Sequence, residues 1–312
     1  MIYYLVNARH AYTIAEYLKH WAPDLAKRVQ FVPYAALPTN RDLPVGAYVF
    51  SDLERMDGVQ RALAGNLADQ LAATTPASRI INHPARALGR VALIAARHAA
   101  GTNAFTCYPG ATRGEPWRYP VFVRRAREHS GSRSELLRDR AAIDRALSVE
   151  LLSGTPFDDL IVVEFMETAD AKGIYRKFSA FRVGDRILPR HVLFSRRWML
   201  RDADLLEPEQ RAEVFAYCQD NPHERELIGI FDAAGIQYGR IDYALNDGAI
   251  QVWEINTNPQ IVKPPEKYPE DTLPFHRAFA DRFAEAFAAF DAPGGSRHVL
   301  RWDLAPVIAP AG

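Results

Sequence analysis

The chain has 312 residues, 48% hydrophobic and 24% charged, enough to bury a sizeable core and to fill about two lobes. Its 38 Lys and Arg balance 38 Asp and Glu, which argues against a protein held on nucleic acid mainly by phosphate neutralisation but leaves room for a small anionic ligand. Cys107 and Cys218 are too far apart for a CxxC motif, so neither a disulfide framework nor a cysteine zinc site is expected. No apolar run reaches the ~18 residues of a membrane span, and the first seven residues lack a basic leader and a cleavage signal, so a cytoplasmic protein is expected.

In chain order, apolar runs at 2–6, 30–32 and 47–50 alternate with helical patterns at 15–26 and 59–73. This alternation predicts a small sheet with helices on its faces. No GxGxxG stands at the first turn, so the dinucleotide fingerprint is absent. A second region opens at Asn82-His83-Pro84, with a helix predicted over 85–100 and Gly101 just past its end. Residues 119–124 read as a strand ending in Arg124. The Ser132-Arg133-Ser134-Glu135 string fits a capping box opening a helix toward Leu152. Residues 161–166 read as a buried strand carrying one acid.

The third region is rich in hairpins. Runs at 175–183 and 186–194 flank a Gly184-Asp185 turn, which pairs Ser179 with Arg190 and puts Lys177 on their face, with Arg176 and His191 on the other. Runs at 241–245 and 249–255 flank Asn246-Asp247-Gly248, and 208–221 is helical. Phenylalanines at 275, 279, 283, 287 and 290 form a helical stripe that belongs to the core.

Chemistry concentrates in the second hairpin. Glu254 and Asn256 are two apart on a strand and share a face. A two-residue turn would put Asp242 on the opposite face, whereas a three-residue loop at 246–248, or a compensating bulge, puts all three on one face. Two carboxylates and an amide form an all-oxygen set suited to Mg²⁺. The plainer alternative is that the acids solvate the end of an exposed hairpin. The apolar flanks Ile241, Tyr243, Trp253 and Ile255 and the Asn258-Pro259 step argue for a built site, closed by the three-residue loop.

The strings Gly239-Arg240-Ile241-Asp242-Tyr243 and Glu254-Ile255-Asn256-Thr257-Asn258-Pro259 resemble the closing metal motif of the ATP-grasp superfamily. Shorter upstream pieces follow in that family's order, so the resemblance spans roughly residues 80 to 290. It implies an α/β ATP-grasp fold: a pre-grasp lobe at 1–82, a central lobe at 83–164, a C-terminal lobe at 165–292 with a mixed or antiparallel sheet, and a tail at 293–312. It further implies that Asp242, Glu254 and Asn256 hold one or two Mg²⁺ ions on ATP. Arg124 and Arg90 would meet the phosphates where the family usually has lysine, an exchange that keeps charge but not shape. Ser130 and Gly131 would belong to a phosphate-covering loop, and Glu164, Phe165 and Met166 to the linker that reads adenine. Glu167 or Asp170 would take the ribose, Lys177 and Arg190 would reach into the cleft, with Arg190 and Arg124 catalytic, and Arg196, Arg197 and Arg201 would grip an anion.

The resemblance implies an ATP- and Mg-dependent ligase that activates a carboxylate as an acyl phosphate and joins it to an amine or thiol. A small-molecule kinase on the same scaffold and a nucleotide-binding protein without catalysis are the alternatives. ATP and small-molecule or peptide substrates are the expected partners, without nucleic acid or membrane, and a homodimer is compatible with the sequence. Glu254→Gln is expected to leave the fold intact, because the side chain serves as ligand rather than core.

Overall fold

The computed structural model describes residues 1–39, 42–74, 78–112, 118–200, 204–205, 207–291 and 299–303. They form a mixed α/β protein with one parallel and several antiparallel sheets. The chain begins with β1 (Ile2–Val6), α1 (Tyr12–Trp21), α2 (Pro23–Ala26), β2 (Val29–Pro33), β3 (Asp42–Pro44), β4 (Ala47–Phe50), α3 (Gly58–Thr74) and β5 (Arg79–Ile81). Strands β2-β1-β4-β5 make a parallel sheet. Every residue of β1 and β4 is buried, as expected of unbroken apolar strands covered on both faces.

Next come α4 (Arg90–Ala99), β6 (Cys107–Pro109), β7 (Val121–Arg125), α5 (Arg140–Leu152) and β8 (Leu160–Glu164), with the strands in the antiparallel order β6-β8-β7. Two helix starts differ from the sequence reading. Residues 83–89 form a turn in which the Leu88 N–H donates to Ala234 O at 2.8 Å, so α4 begins only after Gly89. The Ser132–Glu135 capping box does not form. Ser132 and Leu137 bridge to β7 in extended conformation, and Asp139 caps α5 by accepting from the Ala142 N–H. Pairing with β7 satisfies the backbone there, and the cap passes to the next competent side chain.

The remaining elements are β9 (Tyr175–Val183), β10 (Arg186–Ser195), α6 (Pro208–Asp220), α7 (Glu224–Ala233), β11 (Tyr238–Asn246), β12 (Ala249–Asn256), α8 (Leu273–Ala288) and β13 (Val299–Arg301). The order β10-β9-β11-β12 gives an antiparallel sheet. The phenylalanine stripe is core, as expected: Phe283 packs against Tyr17 of α1, Phe181 of β9 and Tyr238 of β11. Helix α8 thus fills the space between the first sheet and this one. At the other end, β13 pairs antiparallel with β3, Leu300 lies opposite Leu43, and the buried Trp302 donates its indole N–H to Asn66 of α3. No helix among the described residues is long and apolar enough to cross a membrane.

A buried amide ties the end of β4 to the start of β11. Asn82, at φ 60, donates its side-chain N–H to Phe50 O and Tyr238 O and accepts from the N–H groups of Gln237 and Tyr238. Asn82→Ala leaves those buried groups unpaired and keeps a left-handed backbone without the amide that favours it. The expected loss is about 3 kcal/mol of stability, seen as a lower urea midpoint; a wild-type midpoint would show that the joint does not depend on this side chain.

Candidate active site

The β11–β12 hairpin closes through two residues rather than three. Asn246 pairs with Ala249, and Asp247 and Gly248 both take positive φ, at 48° and 81°, the pattern of a type I′ turn. The predicted loop at 246–248 is therefore corrected. A two-residue turn alone would separate the acids, but a register shift after Asp242 restores them: Tyr243 pairs with Val252 and Asp242 with Glu254, leaving Trp253 as the extra residue. Arg240 pairs with Asn256. Arg240, Asp242, Glu254 and Asn256 thus share one face.

A second bulge changes β10. Pro189 pairs with Ala180 and His191 with Ser179, so Arg190 is the extra residue and the predicted Ser179–Arg190 pairing does not form. His191, expected on the opposite face, is opposite Ser179 and adjacent to Asp242 in charge. Arg190 is buried beside the 261–268 segment: it donates to Ile261 O and the Tyr268 hydroxyl and lies 4.8 Å from the Phe279 ring centre.

The acids are enclosed by cations. Glu254 Oε2 accepts from Arg90 and lies 3.5 Å from an Arg124 Nη, while Oε1 is 3.3 Å from His129 Nδ1. Asp242 Oδ1 accepts from Ser179 at 2.7 Å and Arg240 at 3.0 Å, and Oδ2 is 3.7 Å from Lys177 Nζ. Burial pushes the Asp242 carboxyl up, yet Arg240, Lys177 and the Ser179 hydroxyl outweigh it and hold the group well below the usual range. Burial lowers Arg124 to about 10 and lowers Arg90 as well, with Arg124 adding repulsion. The Nε groups of both arginines are buried without a partner. Arg90 also donates to the carbonyls of Arg125, Ala126 and Glu128, so it ties the end of β7 to β12 as well as carrying charge.

A cavity of about 320 Å³ opens on this face. Of the residues singled out from sequence, Arg124, Gly131, Phe165, Met166, Lys177, Asp242 and Glu254 line it. Gly131, at φ 86, turns the loop there, while the Ser130 hydroxyl donates to Glu128. The Glu164 carboxylate points elsewhere, to the Tyr108 hydroxyl and the backbone N–H groups of Thr106 and Arg118. Phe165 spends its own N–H on Pro120 O. Asp170 is absorbed by its turn and Arg176, which holds its carboxyl at about 2, whereas Glu167 accepts from Tyr175, a cavity residue. Arg196 donates to Lys172 O and Arg197 faces Asp204, so neither lines the cavity; Arg201 lies outside the described residues.

Several lining residues had no site role in the sequence reading: Phe122, Trp198, Met199 and Leu200, with Arg240 appearing only inside the motif and Trp253 only as an apolar flank. Trp198 stands 5.0 Å from Phe122 and 5.8 Å from Phe165, ring centre to ring centre, forming an aromatic wall. Arg240 had a signal, since it lies two residues before Asp242 and therefore shares its face. Trp198 lies among Arg196, Arg197 and Arg201 and carries no periodic signal of its own.

Asp242, Glu254 and Asn256 are the donor set expected to hold Mg²⁺. Among the described residues no three His, Cys, Asp or Glu side chains form a metal-binding group; the third member of this set is an amide. Two buried carboxylates opposite each other, with the Asn256 amide oxygen on the same face, supply hard oxygen donors, which fits a cation that takes few protein ligands. The Asn256 oxygen also accepts from the Asn258 N–H at 2.8 Å, and Asn256 does not line the cavity. Such an ion would share these oxygens with the arginines and Lys177.

No family model matches the chain, and no curated protein does. Among solved structures, a D-alanine–D-alanine ligase from Bacillus anthracis complexed with ATP is similar at a TM-score of 0.49 and 13% identity, covering 95% of this chain and 99% of that one. A RimK domain ATP-grasp protein from Sphaerobacter thermophilus gives 0.47 and 14%, over 94% and 100% of the two chains. An L-amino acid ligase from Bacillus licheniformis gives 0.42 and 15%, over 82% and 66%. The functional reading rests on this chain's own residues.

The arginines alter one expectation. Glu254 is the carboxylate facing two buried guanidinium groups, so Glu254→Gln should cost about 2–3 kcal/mol rather than leave stability untouched. Adding Arg124→Met, which removes one of the uncompensated charges, should recover part of the loss. Urea denaturation of the single and double variants measures both; a single variant as stable as wild type would contradict the charge balance described.

Proposed function

We propose that this protein is an ATP-grasp enzyme that uses Mg-ATP to activate a carboxylate and join it to an amine or thiol. The observation that carries the reading is one face bearing Asp242, Glu254 and Asn256 beside a cavity that offers an aromatic wall and the cations Arg124 and Lys177. Adenine would occupy the slot beside Phe122, Met166, Trp198 and Trp253. With the Phe165 N–H already bonded, the backbone of Met166 is the natural reader of the base edge. Glu167, next to Tyr175, is better placed for the ribose than Asp170.

Arg124, Lys177 and the loop around Gly131 would meet the phosphates. Mg²⁺ held by Asp242, Glu254 and Asn256 would neutralise charge on them as phosphoryl transfer proceeds. The substrate carboxylate oxygen would bond to the γ-phosphorus as the bond to the bridging oxygen breaks and ADP departs. The amine or thiol would then bond to the acyl carbon, with phosphate leaving and the nucleophile losing its proton. Arg240, which donates to Asp242 and lines the cavity beside it, would stabilise negative charge in both steps. Arg190 supports the 261–268 segment in this reading and acts on the site only through it.

A matrix of carboxylic acids against amines and thiols, scored by ADP release with mass spectrometry of products, tests the reaction. Release that requires both partners, with a condensed product, is expected. A stable phosphorylated product would instead identify a kinase, and ATP binding without turnover on any pair would remove catalysis from the reading. Trp198→Ala should weaken ATP binding about 5- to 100-fold, the usual effect of losing one aromatic partner of a base; unchanged affinity in calorimetry would place the nucleotide elsewhere.

A further inference from the structure

Glu54 belongs to the first lobe, about 75 residues before His129 and about 200 before Glu254, yet it meets elements on both sides of the candidate site. It sits in a short helical turn, Leu53–Arg55, between β4 and α3. The residue before that turn, Asp52, has φ 60, and its buried carboxylate holds His10 and Arg55, so the turn is fixed from behind. Only 6% of the Glu54 side chain is exposed.

Its two oxygens go to different places. Oε2 accepts from both the N–H and the hydroxyl of Thr257, at 3.2 and 2.6 Å, and Thr257 directly follows Asn256. Oε1 faces His129 Nε2 at 3.2 Å, while the other ring nitrogen of His129 lies 3.3 Å from Glu254 Oε1. His129 opens the loop that carries Gly131 into the cavity. The Leu53 N–H reinforces the contact by donating to the Thr257 hydroxyl at 2.9 Å. Burial pushes the Glu54 carboxyl up, but His129 and Thr257 outweigh it and hold the group ionised, at about 2.

We propose that Glu54 is a positioning residue: one carboxylate of the first lobe seats the 129–132 loop through His129 and fixes the end of the metal-face strand through Thr257. Its effect on catalysis rests on the ATP reading above; its effect on the two segments does not. A carboxylate suits the task because it accepts from several donors at once, in divergent directions, at full charge. Residues that orient the ligands of a site commonly matter about 10- to 100-fold for activity when removed.

Ordinary lobe packing would use the same contacts, so the test must separate local seating from general stability. Hydrogen exchange of the full chain without nucleotide is compared for wild type, Glu54→Gln and Thr257→Val. Glu54→Gln should speed exchange about tenfold at both 128–132 and 256–258, the scale of one hydrogen bond to a charged group, with the other strands unchanged. Thr257→Val should loosen 256–258 alone. Unchanged exchange at either segment in Glu54→Gln, or a uniform rise throughout the chain, overturns the proposal. In turnover assays Glu54→Gln should lower kcat about 10- to 100-fold with KM for ATP nearly constant, because positioning rather than binding is lost. A raised KM at wild-type kcat overturns the catalytic half. If wild type itself shows no ATP turnover while both segments loosen as expected, the ATP reading fails and the role of Glu54 in seating them stands.

Discussion

The site depends on a parity constraint in one hairpin. Side chains on a strand alternate faces, so a two-residue turn would send Asp242 and Glu254 to opposite sides of the sheet. The extra residue at Trp253 cancels that offset. The same bulge contributes Trp253 to the cavity lining, with its ring against Phe105. A single inserted residue therefore sets the polar face and part of the apolar wall together. Removing it would shift every side chain beyond it to the wrong side.

The arginines at 90 and 124 take on meaning from their surroundings. A lysine ammonium has three donors on a flexible stem. Arg90 reaches three backbone carbonyls and Glu254 at once, which calls for the wider fork of a guanidinium. The residue thus combines a structural clamp on the end of β7 with charge beside the site. Arg124 lines the cavity, and its buried Nε has no partner. The chain is neutral as a whole, yet this face holds Arg90, Arg124, Lys177 and Arg240 around two carboxylates.

Much of this was legible in the sequence because it follows short periods. Glu254 and Asn256 share a face by strand alternation, and the phenylalanine stripe packs as a helix face. The bulges at Trp253 and Arg190 were not legible, because nothing in an apolar run marks which residue the ladder skips. Helix starts were misplaced where a tertiary partner claimed the backbone, as β7 did for Ser132 and Ala234 for Leu88. Trp198 and Glu54 belong to a third group. Their importance lies in contacts between distant segments, and no local pattern announces them.

The pairing of β13 with β3 bears on the order in which the protein can assemble as it is made. Leu43 is opposite Leu300, and Trp302 sits against α3, so part of the core around β3 and α3 is supplied by residues made long after them. Asn258 likewise accepts from the hydroxyls of Tyr4 and Thr13 near the start. On the ribosome the nascent N-terminal segment must wait with β3 as an open edge, and such edges are templates for pairing with neighbouring chains. Its final consolidation therefore waits until residues 299–303 have been made, which gives a chaperone a defined segment to shield until they emerge.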